Sequence, residues 1–217
     1  MPTAIVAGAT GLIGRRLVSL LLESGDYDRV HVLVRRPTGV RDARMVEHTV
    51  DFNELSSARG DVGPVDHAFC ALGTTIRSAG SREAFRRVDH DYVVAFAQLA
   101  KALGAKHFAV VSSLGADPGT GNFYLRVKGE TERDLQSLDL PRLVILRPSL
   151  LTGERAEFRP GERISQLLLG MTSPLLVGKL GRIRPVSDQQ VAAAMLRSVQ
   201  GDGPAMQVIQ SEDIRSV

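Results

Sequence analysis

The sequence predicts an α/β fold: a doubly wound, mostly parallel sheet with helices on both faces, in a single domain over 1–217. Three observations predict it. Short apolar or β-branched runs recur at 3–7, 30–34, 45–50, 67–71, 107–112, 143–146 and 206–209. Between them lie helical patterns at 12–23, 81–103, 123–138 and 188–199. The first junction, Gly8-Ala9-Thr10-Gly11-Leu12-Ile13-Gly14, places three glycines three apart between a strand and a helix.

Taking the elements in order, the first strand is Thr3 to Ala7, and its helix carries Ile13, Leu17, Leu20 and Leu21 on one stripe. Each glycine of the turn has its own expected task. Gly8 permits the tight turn, Gly11 a close backbone approach, and Gly14 close packing of the helix on its strand. With the amides of Thr10, Leu12 and Ile13, the helix N-terminus can close on a pyrophosphate without any cationic side chain. The long pattern at 81–103 puts Phe85, Val88, Tyr92, Phe96 and Leu99 on one core-facing stripe. After Pro148 the composition shifts toward Arg, Gly and Pro, so 150–184 reads as a small substrate-side appendage, with the chain returning to the sheet at Val186.

Composition narrows the function classes. Hydrophobic residues at 43% and charged residues at 24% are those of a soluble globular protein. The net charge of +3 is spread, with no basic run interleaved with aromatics, so neither nucleic acid nor membrane is an expected partner. The first apolar stretch, Ala4 to Ala7, is short and lacks a basic leader, so no signal peptide is expected. The single cysteine, Cys70, lies in an apolar strand and reads as a buried structural thiol; a reducing cytoplasm fits, and no metal site is expected.

In a parallel sheet the ligand lies at the carboxyl ends of the strands, so the residues just beyond each strand carry the chemistry. After the second strand, Arg35 and Arg36 suit an adenosine 2′-phosphate, which predicts NADPH over NADH. After the third, Asp51 can accept from an adenine amino group with Phe52 shielding the ring; the alternative is a helix cap ahead of Leu55. After the fourth, Leu72 and Gly73 allow the backbone to pass close to the cofactor.

The fifth strand ends at Ser112-Ser113, and Tyr124 and Lys128 follow at i and i+4 on one helix face. A phenol ordinarily gives up its proton near pH 10. An ammonium about 4 Å away contributes roughly 4 kcal/mol at an effective dielectric near 20, enough to lower that value by up to about three units. Tyr124 is therefore the candidate proton donor, Lys128 its partner and ribose ligand, and a serine the holder of the substrate oxygen. Ser113 is favoured, with Ser112 as the alternative.

The chain resembles the atypical short-chain dehydrogenase/reductases, NAD(P)-binding proteins of the Rossmann type. The matching words are Leu33-Val34-Arg35-Arg36, Val50-Asp51-Phe52, Leu72-Gly73-Thr74-Thr75, Val88-Asp89-His90-Asp91-Tyr92-Val93 and Lys106-His107-Phe108. They continue in Ser112-Ser113-Leu114-Gly115-Ala116-Asp117, Tyr124-Leu125-Arg126-Val127-Lys128-Gly129-Glu130, Arg147-Pro148 and Arg159-Pro160-Gly161-Glu162. The resemblance implies an NADPH-dependent oxidoreductase acting on a small carbonyl compound, with Leu151 and Arg159 closing over the cofactor. It also supplies a second reading, an NADPH-sensing regulatory module that binds another protein without turnover. A homodimer is compatible with either. Partner recognition through an N-terminal extension, which a member of the family carries, is not expected here.

Overall fold

Four consecutive fully buried residues, Ala4 to Ala7, make the first strand a central one, since only a strand covered on both faces tolerates an unbroken apolar run. The computed structural model describes residues 1–149, 151–152, 184–201 and 203–216. Its main sheet is built from β1 (Thr3–Ala7), β2 (Arg29–Val34), β3 (Met45–Thr49), β4 (His67–Cys70), β5 (His107–Val111), β6 (Leu143–Arg147) and β9 (Met206–Gln210). The spatial order is β3-β2-β1-β4-β5-β6-β9, and every neighbouring pair is parallel. Chain order reverses between β1 and β4, where Val6 pairs with Val32 on one side and Phe69 on the other. That reversal opens a crevice at the carboxyl edge, the usual ligand position in a doubly wound sheet.

Helices cover both faces. On one, α1 (Leu12–Ser24) and α7 (Asp188–Ser198) bury Leu17, Leu21, Val191 and Met195 against Val6, Val30 and Val32. On the other, α5 (Tyr92–Ala102) buries Val93, Phe96 and Ala100 against Ile5, Leu33 and Phe108. The Phe96 and Phe108 rings meet at 5.7 Å. α6 (Phe123–Gln136) starts at an Asn122 cap, whose Oδ1 accepts from the Leu125 amide at 3.2 Å.

Three features differ from the sequence reading. The helix expected over 81–103 is divided into α4 (Arg82–Arg86), a π-helical turn (Arg87–Asp91) and α5. The wider turn rotates the stripe, so Asp89 and His90 are buried while Val88 is half-buried. Short helices also form at α2 (Arg59–Val62), preceded by a 3₁₀ turn (Leu55–Ala58), at α3 (Ile76–Ala79) and at α8 (Ser211–Arg215).

Val186 does not rejoin the main sheet. β7 (Leu151–Thr152) and β8 (Val186–Ser187) form a separate two-residue parallel ladder, and the chain returns only at β9. Of the expected appendage 150–184, only Leu151, Thr152 and Arg184 are among the described residues. Its two ends are held together at the carboxyl edge of β6. The Ser149 hydroxyl donates to the Arg184 carbonyl at 2.6 Å and stands 2.9 Å from the Ser211 hydroxyl.

Candidate functional site

The glycine turn is shaped by contact with its own neighbours. Gly8 has φ +88°, and a Cβ there would lie 2.5 Å from the Ala71 carbonyl, so no other residue fits. A Cβ on Gly14 would fall 2.0 Å from the Gly8 oxygen, which fixes how closely α1 approaches β1. Gly11 donates to the same oxygen at 2.9 Å and caps α1 without a side-chain bond; no acidic residue stands in the first turn. The Ile13 side chain is buried in the core, Leu12 is half-buried and Thr10 exposed. The turn thus presents backbone amides with helix-dipole polarity, a cradle that fits a pyrophosphate.

Beyond β2, Arg35 and Arg36 are exposed, and no carboxylate pairs with either among the described residues. Close by, a cavity of about 200 Å³ is lined by Thr10, Arg15, Ser19, Thr38 and Val40. Its wall is firm, because the Thr38 amide donates to Glu47 on β3 at 2.9 Å. Arg15, which no motif in the sequence singles out, also lines this cavity. The signal lies in helical spacing instead: α1 buries Gly14 and Leu17 and leaves Arg15 facing solvent.

Asp51 does not cap the helical turn at Leu55, which Glu54 precedes. Its Oδ1 accepts from the Asn53 amide at 2.9 Å and side chain at 2.7 Å, closing a local turn on the surface. Phe52, the central residue of that turn, is buried, its ring 5.6 Å from that of Tyr92. Leu72 is half-buried and Gly73 exposed at the end of β4. Leu151 is exposed on β7, and Arg159 lies outside the described residues.

The corner that holds Tyr124 and Lys128 is organised by α6. Its face carries Tyr124, Lys128 and Glu132 one turn apart, each held by a different element. The Tyr124 ring packs on Phe85 at 5.5 Å. Lys128 is buried, with Nζ 2.8 Å from Oδ1 of the equally buried Asp89. Burial pushes the ammonium down, but the Asp89 carboxylate and the Tyr124 phenol outweigh it and hold Lys128 above the ordinary lysine value. Lys128 therefore acts on its surroundings as half of an ion pair rather than as the lone ammonium the sequence argument assumed. Asp89 went unnoticed as a functional candidate, since 39 residues separate the partners and only the π-helical turn aims its side chain inward.

The two serines part company. Ser112 is buried and donates to Glu132, whose carboxylate is also gripped by Arg147, with Nε at 3.0 Å. Ser113 is half-buried, and among the described residues its hydroxyl makes one long contact, 3.4 Å, to the Leu114 carbonyl. Among those residues its hydroxyl is the less engaged of the two. Cys70 is fully buried, and that burial pushes its thiol up to about 12, the state of an inert structural group.

A family model described as NAD(P)H-binding matches residues 8–200. The chain is 37% identical to rat Protein HTATIP2 over 171 residues, 77% of this chain and 70% of the relative. It is 32% identical over 220 residues to Protein FMP52, mitochondrial, of Debaryomyces hansenii, covering 98% and 96% of the two chains. Among solved structures it is similar to MoeE5 in complex with UDP-glucose and NAD, with TM-score 0.71 and 19% identity over 99% of this chain and 80% of that one. It is also similar to the Bordetella bronchiseptica enzyme WbmH in complex with NAD+, with TM-score 0.70 and 18% identity over 97% and 76%. At those identities the structural likeness is one of fold.

The relatives correct one expectation. The lone cysteine suggests a cytoplasmic setting, yet the fungal relatives are mitochondrial proteins by name. One buried thiol reports only the absence of an internal disulfide, and that does not distinguish one reducing compartment from another. Among the described residues no helix is long and apolar enough to cross a membrane. The matched model over most of the chain, the whole-length relatives and the parallel sheet with its glycine turn agree: the chain belongs to the NAD(P)H-binding family, as an atypical short-chain dehydrogenase/reductase.

Proposed function

We propose that the protein is an NADPH-dependent oxidoreductase that reduces a small carbonyl compound to its alcohol. The observation carrying this reading is the burial of Lys128 directly beneath the strand-end loop: a Cβ on Gly73 would stand 4.0 Å from its Nζ, one helical turn from Tyr124. A buried cation at the strand carboxyl edge, between a glycine-lined crevice and a phenol, suits a ribose hydroxyl on one side and proton transfer on the other.

When bound, the nicotinamide supplies a hydride to the carbonyl carbon. The chain's own residues do the rest. The turn amides around Gly8, Gly11 and Gly14 hold the pyrophosphate, and Leu72 and Gly73 let the backbone pass beside the nucleotide. Arg35 and Arg36, with Arg15, face the adenosine 2′-phosphate, and Asp51 the adenine amino group. Lys128 donates to the ribose. Ser113 donates a hydrogen bond to the carbonyl oxygen, favouring negative charge there, and the Tyr124 hydroxyl gives that oxygen its proton.

The test is a panel of aldehydes and ketones scored by loss of NADPH absorbance, followed by Tyr124→Phe on any substrate found. Turnover falls by at least about 10²-fold in that variant, and NADPH affinity stays within about twofold. Turnover that survives the loss of the hydroxyl overturns the mechanism. Tight NADPH binding without turnover of any carbonyl returns the protein to the sensor reading.

A further inference from the structure

Asp89 is a buried carboxylate in the site to which the reduction assigns no task. Its two oxygens have separate partners: Oδ1 stands 2.8 Å from Lys128 Nζ, and Oδ2 accepts from the Thr74 amide at 2.9 Å. No donor other than the ammonium serves Oδ1 among the described residues. Thr74 follows Gly73, and a Cβ on Gly73 would come within 3.5 Å of the same Oδ1. One carboxylate therefore bridges the loop after β4 and the lysine of α6.

The bridge is rigidly mounted. The π-helical turn that carries Asp89 is bound to α6 at two further points. The Thr131 hydroxyl donates to the Asp89 carbonyl at 3.0 Å, and His90 Nε2 stands 2.9 Å from Asp134 Oδ2. The groups facing Lys128 are Asp89 from the turn, Tyr124 and Glu132 from its own helix, and Cys70 from β4. Of these, Glu132 is taken up by Ser112 and Arg147. Asp89 is thus the carboxylate that balances the lysine. A buried ion pair adds little stability over apolar packing, whereas it fixes the orientation of both partners.

We propose that Asp89 is a positioning residue: it keeps Lys128 charged and aimed, and it transmits engagement of the Leu72–Thr75 loop by the dinucleotide to the Lys128–Tyr124 pair. The proposal rests on the reading that this loop borders the cofactor. Movement of Thr74 shifts Oδ2, the carboxylate turns as a rigid plane, and Oδ1 carries the ammonium with it.

The experiment follows the lysine directly. The chain has four lysines, Lys101, Lys106, Lys128 and Lys179, so a ¹³Cε-lysine NMR spectrum of the full chain is readily assigned with Lys128→Met. In the wild type, Lys128 stays protonated at pH values where exposed lysines lose their protons, and added NADPH moves the Thr74 amide and the Lys128 signal together. Asp89→Asn lowers the Lys128 titration, because the counter-charge is gone while burial still disfavours the ammonium. In that variant NADPH still moves Thr74 while Lys128 no longer follows. If a substrate has been found, the pH profile of kcat shifts downward in step.

A role confined to stability would lower the melting temperature and leave both responses in place, which overturns the proposal. Should Asp89→Asn fail to fold, Asp89→Glu decides. The charge is kept and Lys128 stays protonated, but the displaced carboxylate no longer passes the Thr74 movement on; an unchanged response refutes the coupling. None of these readings needs turnover. A responsive Lys128 in a protein that reduces no carbonyl sinks the reductase reading and keeps the coupling. Turnover with an indifferent Lys128 does the reverse.

Discussion

Gly129 lies backbone to backbone against Asp117: a Cβ built on Gly129 would fall 2.3 Å from the Asp117 carbonyl carbon and from Pro118 N. The Asp117 amide also donates to the Leu125 carbonyl at 3.2 Å. The loop leaving β5 is therefore fastened to α6 within one turn of Lys128, and this contact fixes Ser113 relative to the Tyr124 face.

Gly129→Ala forces the loop or the helix to move, because neither side of the contact is a flexible side chain. Overpacking of this kind costs about 2–3 kcal/mol. Calorimetry is expected to show a melting temperature lower by roughly 5–10 °C for a chain of this size. Gly121→Ala is the control, since nothing lies within 4 Å of a Cβ there. Equal behaviour of the two variants would remove the contact from the account.

The buried network behind the site makes a second prediction. Glu132 accepts from Ser112 and from Arg147, and hydrogen bonding to that carboxylate holds the Arg147 guanidinium above its usual value. Glu132→Gln leaves Arg147 without its counter-charge and is expected to destabilise by about 2–4 kcal/mol. Combined with Arg147→Met, the loss is smaller than the sum of the two single losses, by about 1 kcal/mol or more. Urea unfolding of the four proteins measures this; additive losses would mean that the two residues act independently.

The adenosine end allows a third test. Arg35 and Arg36 are exposed and carry no carboxylate partner among the described residues, so each can turn to an added phosphate. NADPH is expected to raise the melting temperature more than NADH at equal concentration. Arg35→Ala/Arg36→Ala weakens NADPH by about 10- to 100-fold, the scale of one or two charge-assisted bonds at a wet surface, and leaves NADH within about twofold. Arg15→Ala weakens NADPH to a smaller degree. Equal affinity for the two nucleotides in the wild type would remove this role from all three arginines.

What could be read ahead of the structure divides along physical lines. The parallel sheet was legible because strands covered on both faces must be apolar throughout, as Ala4 to Ala7 and Leu143 to Leu146 are. The turn was legible because two of its glycines are demanded by contacts of 2.0 and 2.5 Å. That Tyr124 and Lys128 share one helix face was legible because one helical turn separates them. Asp89 was not: a π-helical turn has no residue signature, and its ion pair joins segments far apart in sequence. The difference between Ser112 and Ser113 depends on where Glu132 arrives, which no local spacing records. The β7–β8 ladder is two residues long, below what periodicity can detect.

The last prediction concerns acid. His31 is buried beside His48, with Nδ1 and Nε2 2.8 Å apart, and burial first, then His48 and Arg29, lowers its pKa to about 4. His67 takes part in a hydrogen bond with the Tyr27 hydroxyl at 2.8 Å; burial first, then His107, lowers it likewise to about 4. Above the unfolded value near 6.5 both imidazoles are neutral in either state and contribute nothing to the slope. As pH falls below 6.5 the unfolded chain takes up protons that the folded chain refuses until about pH 4, so stability declines through that window. The decline is on the order of 2–3 kcal/mol per histidine by its lower end. Urea midpoints measured between pH 7 and 4.5 are expected to fall steadily, and His31→Leu is expected to flatten the slope by about one proton. A midpoint constant across that range would mean that both rings protonate in place without penalty.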